Sequence, residues 1–154
     1  MNGSSGGPRP AQSAAPPART SAPAGPLVLG IDLGLTHARC AYLGRNGPVL
    51  VRNDRGETAT PTLVGLDRQG QLRIGELARA QLPFAPERTV SGVKRLIGTQ
   101  NTVVLAERRY SPTEITGVLL RRLREDAERA ANARVSAAAI AVPAYFTEAQ
   151  RQAT

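Results

Sequence analysis

The sequence predicts one mixed α/β domain that follows an unstructured N-terminal segment. Three observations indicate this fold class: short runs of β-forming residues near the start, one long amphipathic helix further on, and another strand after that helix. Residues 1–26 are set apart, because 20 of them are Pro, Ala, Gly or Ser and no large apolar residue follows Met1. Such a segment cannot bury enough apolar surface to offset its ordering entropy, so we expect a disordered tail.

Residues 27–154 are enough for one compact domain, which is expected to open with three antiparallel strands. Residues 27–33 form a short apolar run that ends at a glycine, and residues 38–43 and 49–52 have similar β-forming composition. The turn between the second and third strands, residues 45–47, contains Asn-Gly, which favours a tight hairpin. The start of the domain is therefore predicted to be a meander.

A smaller hairpin and short helical pieces are predicted next. Residues 61–66 and 71–74 form the hairpin, and residues 76–82 form a helix that ends before a proline. Residues 93–97 are expected to form one helical turn, followed by a weak strand at residues 102–106.

The strongest helix signal begins at Ser111, where Ser-Pro-Thr-Glu combines an N-cap, a proline at the first helical position and a capping-box glutamate. Its apolar residues then recur with the helical period. Residues 135–142 are expected to form a buried strand, and Thr147 begins a second capping box and helix. Because that helix would stop at Thr154, we expect the sequence to be part of a longer one.

Composition argues against several classes of protein. The formal net charge is +8, but the basic residues are scattered and only five aromatic residues are present, so nucleic-acid binding is not expected. The single cysteine and single histidine exclude a disulfide framework and a Cys/His zinc cluster. The apolar runs are too short for a membrane span and no secretory signal is visible, so a cytoplasmic protein without membrane attachment is expected.

Two features could carry chemistry. Asp32, Gly34 and Thr36 place a carboxylate at a strand end and a glycine turn between two strands, which suits phosphate and a water-bound Mg²⁺. The same pattern also occurs in ordinary hairpins, and a P-loop is excluded because no Gly-Lys-Ser/Thr follows. Lys94 is the only lysine and could neutralise a terminal phosphate, although an isolated lysine is more often a surface residue.

Four motifs together resemble the 70-kDa heat-shock (DnaK-type) chaperone family. The resemblance covers residues 27–154, and its last motif is the longest and most specific. The motifs are Gly30-Ile31-Asp32-Leu33-Gly34-x-Thr36, Asn53-Asp54-x-Gly56-x-Thr58-x-Thr60-Pro61-Thr62, Val93-Lys94-Arg95-Leu96-Ile97-Gly98, and the run from Val142 to Thr154.

The resemblance implies part of the first lobe of an actin-like, ribonuclease-H-like ATPase fold that binds ATP or ADP with Mg²⁺. It implies that Asp32 orders Mg²⁺ through water, that Gly34, Leu35, Thr36 and His37 form the first phosphate loop, and that Lys94 is catalytic. Pro143 and Arg151 match family positions that relay the nucleotide state to a substrate-binding domain. The implied partners are apolar client peptides, bound by a C-terminal domain that is not in this sequence, together with J-domain and nucleotide-exchange co-chaperones.

Departures from the family pattern keep alternatives open. Leu35 stands where the family usually has threonine, which makes hydrolysis more doubtful than binding, and His37 stands where the family has a polar residue, often asparagine. The stretch between Lys94 and Ser111 is also shorter than in the family. The alternatives are a pseudo-ATPase regulator that binds nucleotide without turnover and a bacterial actin-like filament protein. This sequence alone is expected to be inactive as an ATPase, because it would hold only half a nucleotide site.

Overall fold

The computed structural model describes residues 22–154, and residues 1–21 of the predicted tail lie outside the described part. The described chain is a mixed α/β structure with ten strands and three α-helices. The strands are β1 (Leu27–Leu33), β2 (His37–Gly44), β3 (Gly47–Leu50), β4 (Thr60–Pro61), β5 (Leu63–Leu66), β6 (Leu72–Ile74), β7 (Thr89–Ser91), β8 (Val103–Leu105), β9 (Arg108–Tyr110) and β10 (Val135–Ala141). The helices are α1 (Glu76–Gln81), α2 (Pro112–Ala131) and α3 (Glu148–Ala153).

The central sheet has five strands and contains the predicted meander. Its main order is β10-β1-β2-β3, with β1, β2 and β3 antiparallel and β10 parallel to β1. The short strand β4 pairs with the start of β2, where His37 lies opposite Pro61. A second sheet has the order β6-β5-β7, and β8 and β9 form a separate hairpin. The chain thus passes from the first sheet to the second between β4 and β5.

Helix α2 joins the two parts of the structure because its apolar face spans two clusters of buried residues. Leu123 and Ala127, in its C-terminal half, pack with β1 and β2 of the central sheet. Ile115 and Leu119, nearer its start, pack with residues of the second sheet and of the β8–β9 hairpin. The predicted capping box at Ser111 is present and fixes the start of the helix.

The structure differs from the sequence prediction in four places. The segment predicted as one strand, residues 61–66, forms two strands in different sheets, β4 and β5, with Thr62 between them. Strands β7 and β9 were not predicted; both have three residues and form through pairing with β5 and β8. Strand β10 is present as predicted but is mostly exposed rather than buried, because it lies at the sheet edge with β1 as its neighbour. Ala22 and Ala24, inside the predicted tail, exchange backbone hydrogen bonds of 3.1–3.3 Å with Leu43 and Arg45.

Among residues 22–154, no helix is long and apolar enough to cross a membrane.

Candidate functional site

The loop between β1 and β2 is a tight turn that requires glycine at its first position. The amide of Gly34 donates to the carbonyl oxygen of His37 at 3.0 Å, which closes the turn. A Cβ atom at position 34 would collide with that same carbonyl oxygen, so only glycine permits the approach. We refer to residues 34–37 as the phosphate loop, after the role that the family resemblance implies for them.

The phosphate loop leaves two consecutive backbone amides open. Within residues 22–154, the amides of Leu35 and Thr36 donate to no protein acceptor, and the side chain of Leu35 is 42% exposed. Adjacent unpaired amides form a concavity that attracts anions. The loop therefore offers two backbone donors to an anion, although position 35 supplies no hydroxyl.

Thr62 donates two hydrogen bonds to carbonyl groups of the phosphate loop. Its hydroxyl donates to the carbonyl oxygen of Leu35 at 2.7 Å, and its amide donates to that of Thr36 at 2.9 Å. Thr62 is only 4% exposed, so these bonds are shielded from water. The carbonyl oxygens of Leu35 and Thr36 therefore both accept hydrogen bonds from Thr62.

Asp32 lies at the end of β1 on the exposed face of the central sheet. It is opposite Arg39 in β2 and Ala141 in β10. Among residues 22–154, no three His, Cys, Asp or Glu side chains are grouped so that they could hold a metal ion. A single carboxylate such as Asp32 would hold a cation such as Mg²⁺ through water.

Lys94 reaches the start of the phosphate loop from a 3₁₀ turn, Val93–Leu96. Its ammonium nitrogen Nζ donates to the carbonyl oxygen of Leu33 at 2.5 Å and lies 5.9 Å from the ring centroid of Phe146. The side chain is therefore fixed between a backbone dipole and an aromatic face. The structure thus brings Lys94 to the loop, one residue before Gly34.

Pro143 and Arg151 lie on the other side of Phe146. The amide of Phe146 donates to the carbonyl oxygen of Pro143 at 3.1 Å, and Arg151 donates from Nε to the carbonyl oxygen of Phe146 at 3.2 Å. A second, longer bond of 3.4 Å joins Arg151 to the carbonyl oxygen of Ala144. A continuous series of contacts therefore runs from Arg151 through Phe146 and Lys94 to the phosphate loop.

His37 is half-buried and contributes to two features of the site. Its Nδ1 lies 3.2 Å from the hydroxyl oxygen of Thr36, which fixes the ring against the loop. It also lines a cleft of about 250 Å³ beside the loop, together with Leu35, Arg79 and Arg95. None of the residues lining this cleft is acidic, which favours an anion nearby.

The sequence motif at Asn53 has a structural role in the fold. The Asn53 side chain accepts the amides of Arg55 and Glu57 at 3.0 Å and so orders the loop that precedes β4. Asp54 forms a 2.9 Å ion pair with Arg122 of α2, and this hydrogen bond holds the pKa of the Asp54 carboxyl below its ordinary value. The loop is thereby attached to the long helix.

Cys40 is excluded as a nucleophile. The thiol is buried beneath α2, and its burial, reinforced by the negative charge of Asp126, raises its pKa to about 12. A thiol with that pKa is protonated at neutral pH, whereas the thiolate is the reactive form.

Thr62 and Phe146 were not identified as site residues from the sequence. Both lie inside motifs that the sequence singled out, but their contacts are with Leu35 and Lys94, far away along the chain. Only the fold brings these pairs together. The only sequence signal for these two residues was that each of them lies inside one of the motifs.

The fold and the loop define part of the first lobe of an actin-like ATPase. Comparison with known proteins agrees: the family model for Hsp70 proteins matches residues 28–154. The chaperone protein DnaK of Thermotoga petrophila is 39% identical over 129 residues, which is 83% of this chain and 22% of that relative. The chain belongs to the Hsp70 family, and it spans about a fifth of the length of this curated relative. This membership favours the chaperone interpretation over the filament protein.

Proposed function

We propose that this chain is the N-terminal part of the ATP-binding domain of a 70-kDa heat-shock-type chaperone. The observation that carries the proposal is the phosphate loop, where Gly34 permits a tight turn, two backbone amides have no acceptor among the described residues, and Lys94 is bound to the carbonyl oxygen of the preceding residue, Leu33. Backbone amides and a lysine are the donors that phosphate groups require.

Each residue of the site has a distinct role in this proposal. The amides of Leu35 and Thr36 bind phosphate oxygens, and Lys94 neutralises the charge that develops on the transferred phosphoryl group. Asp32, exposed at the strand end, orders the water shell of Mg²⁺. Mg²⁺, when bound, offsets phosphate charge, and ATP or ADP is the nucleotide.

The longer protein would couple this site to the binding of apolar client peptides. Pro143 and Arg151 would relay the nucleotide state, since both contact Phe146, which in turn contacts Lys94. J-domain and nucleotide-exchange proteins would be the co-chaperones. The cytoplasm is the proposed location, and the likeness to DnaK supports these assignments.

The 154-residue chain alone supplies only one side of the phosphate site. If half of a nucleotide binding free energy of about 8–12 kcal/mol remains, about 4–6 kcal/mol, the dissociation constant lies between about 0.04 and 1 mM. One lobe also cannot exclude water from the phosphates, so no ATPase activity is expected.

Titration calorimetry of the purified chain with Mg·ATP tests the proposal. The expected result is weak binding that Lys94→Ala abolishes and that Arg68→Ala leaves unchanged. Arg68 is the matched control because it carries the same charge on an exposed turn at the far end of β5. Equal effects of the two substitutions would contradict the role of Lys94. Saturable binding at low micromolar concentration would show that the chain forms a complete pocket, against the proposal.

A further inference from the structure

Thr62 lies at the point where the chain leaves the central sheet and enters the second sheet. Strand β4, Thr60–Pro61, pairs with β2, and strand β5, which begins at Leu63, pairs with β6 and β7. Thr62 is the one residue between these two strands. It is buried, and both of its hydrogen bonds to the phosphate loop cross 26 or 27 positions of sequence.

Removing the Thr62 hydroxyl would leave the carbonyl oxygen of Leu35 without a donor among residues 22–154. A carbonyl oxygen that faces a buried apolar side chain without a donor is unfavourable, so the loop would rotate that carbonyl toward water. Rotation of the peptide that holds the Leu35 carbonyl also moves the amide of Thr36, because both groups belong to the same planar unit. One of the two free amides of the phosphate loop would therefore lose its direction.

We propose that Thr62 is a positioning residue that sets the direction of the Thr36 amide of the phosphate loop from the junction between the two sheets. The inference rests on the proposed function for its relevance to nucleotide, but the geometry of the loop is measurable without any ligand. Lys94 follows β7 of the second sheet. The positions of both the phosphate loop and Lys94 therefore depend on how the second sheet packs against the central sheet.

Amide hydrogen exchange of the full chain tests the positioning role. The reporter is the amide of Gly34, which donates across the loop to His37, and the reference is the amide of Val51, which donates to the carbonyl oxygen of Cys40 in the central sheet. Thr62→Val keeps the shape of the side chain and removes the hydroxyl. It should speed exchange at Gly34 by about tenfold, the effect of losing one buried hydrogen bond, and leave Val51 unchanged.

A conservative variant separates positioning from general stability. Thr62→Ser retains the hydroxyl and should restore the exchange rate of Gly34 to the wild-type value. If Thr62→Val does not fold, Thr62→Ala and Thr62→Ser form the same comparison, since they differ only in the oxygen. Equal acceleration at Gly34 and Val51, or no difference between the serine and alanine variants, would overturn the inference.

Titration with Mg·ATP adds the functional result. Thr62→Val should weaken binding by about tenfold while Thr62→Ser should not, because only the former loses the direction of the Thr36 amide. Failure of the wild-type chain to bind Mg·ATP at millimolar concentration would contradict the proposed function, and the exchange rates at Gly34 would still decide the role of Thr62. Wild-type binding that Thr62→Val leaves unchanged would overturn the positioning role in nucleotide binding.

Discussion

Gly98 packs directly against Gln150 of α3, with no space between the two backbones. A Cβ atom at position 98 would lie 2.7 Å from the Cα atom of Gln150, and Gly98 has a positive φ of 74°. The motif that contains Lys94 therefore packs against α3, the helix that contains Arg151.

Gly98→Ala should therefore destabilise the fold by about 2–4 kcal/mol, from overpacking and from the left-handed backbone conformation. Gly117→Ala is the matched control, because a Cβ atom there meets nothing within 4 Å and the position lies inside α2. That control should stabilise the protein by about 1 kcal/mol. Urea unfolding of both variants measures the difference, and equal midpoints would contradict the packing argument.

The turn between β8 and β9 is built from residues that disfavour its conformation. Ala106 and Glu107 have φ angles of 50° and 67°, the left-handed values that asparagine and glycine adopt more readily. Glu107→Gly should stabilise the fold by about 1 kcal/mol and raise the melting temperature by about 4 °C. Gln100→Gly, at a nearby loop position that does not have a positive φ, should give no such gain.

Asp54 should make stability depend on acid pH. Its pKa is lowered chiefly by the hydrogen bond from Arg122, so the folded state favours the carboxylate. That contribution is complete above the ordinary pKa of 3.8 and is lost as the pH falls through the lower folded value. Asp54→Asn should reduce the change in urea midpoint between about pH 5 and about pH 2.5. Glu57→Gln, in the same loop and without an ion pair among the described residues, is the control that removes one acidic group without breaking the Arg122 contact.

Leu35 should limit turnover more than nucleotide affinity in the longer protein that we propose. Its backbone amide remains available, whereas the hydroxyl that the family usually has at this position is missing. Leu35→Thr should raise kcat on the order of tenfold or more, with less than about a threefold change in the dissociation constant for ATP. Unchanged kcat in Leu35→Thr, in an enzyme that Lys94→Ala inactivates, would disprove the role of the hydroxyl.

The N-terminal segment should divide into two parts of different importance. Deleting residues 1–21 should leave the melting temperature unchanged, since their composition offers little apolar surface to bury. Deleting residues 1–26 also removes the hydrogen bonds that join Ala22 and Ala24 to the β2–β3 hairpin. This deletion should lower the melting temperature by a few degrees. Identical melting temperatures for the two deletions would show that the pairing contributes nothing.

Local chemistry explains why much of the fold was predictable. The meander, the β5–β6 hairpin and helices α1, α2 and α3 each begin or end with a turn or capping signal that lies within a few residues, such as Ser111 with Glu114. Strands β7 and β9 carry no such signal. Strand β9, residues 108–110, forms because it pairs with β8. This pairing depends on the fold and not on the three residues themselves.

The candidate site was predictable in its parts but not in its connections. Motif similarity suggested the phosphate loop and Lys94, and the structure shows the two in contact through the carbonyl oxygen of Leu33. The roles of Thr62 and Phe146 depend on which surfaces of distant segments meet. Sequence periodicity carries no information on such contacts, because a single threonine or phenylalanine in a loop forms no pattern that indicates its distant partner.

The parallel pairing of β1 with β10 has a consequence for how the protein is made. Ser136 donates from its hydroxyl to the carbonyl oxygen of Leu27, a residue 109 positions earlier in the chain. Translation at about 5–20 residues per second separates the synthesis of the two strands by about 5–20 s. During that interval β2 and β3 can already pair, while the outer edge of β1 has no native neighbour. Among the described strands of the central sheet, the first to be made thus waits for the last, and its outer edge is open to wrong partners until β10 has been made.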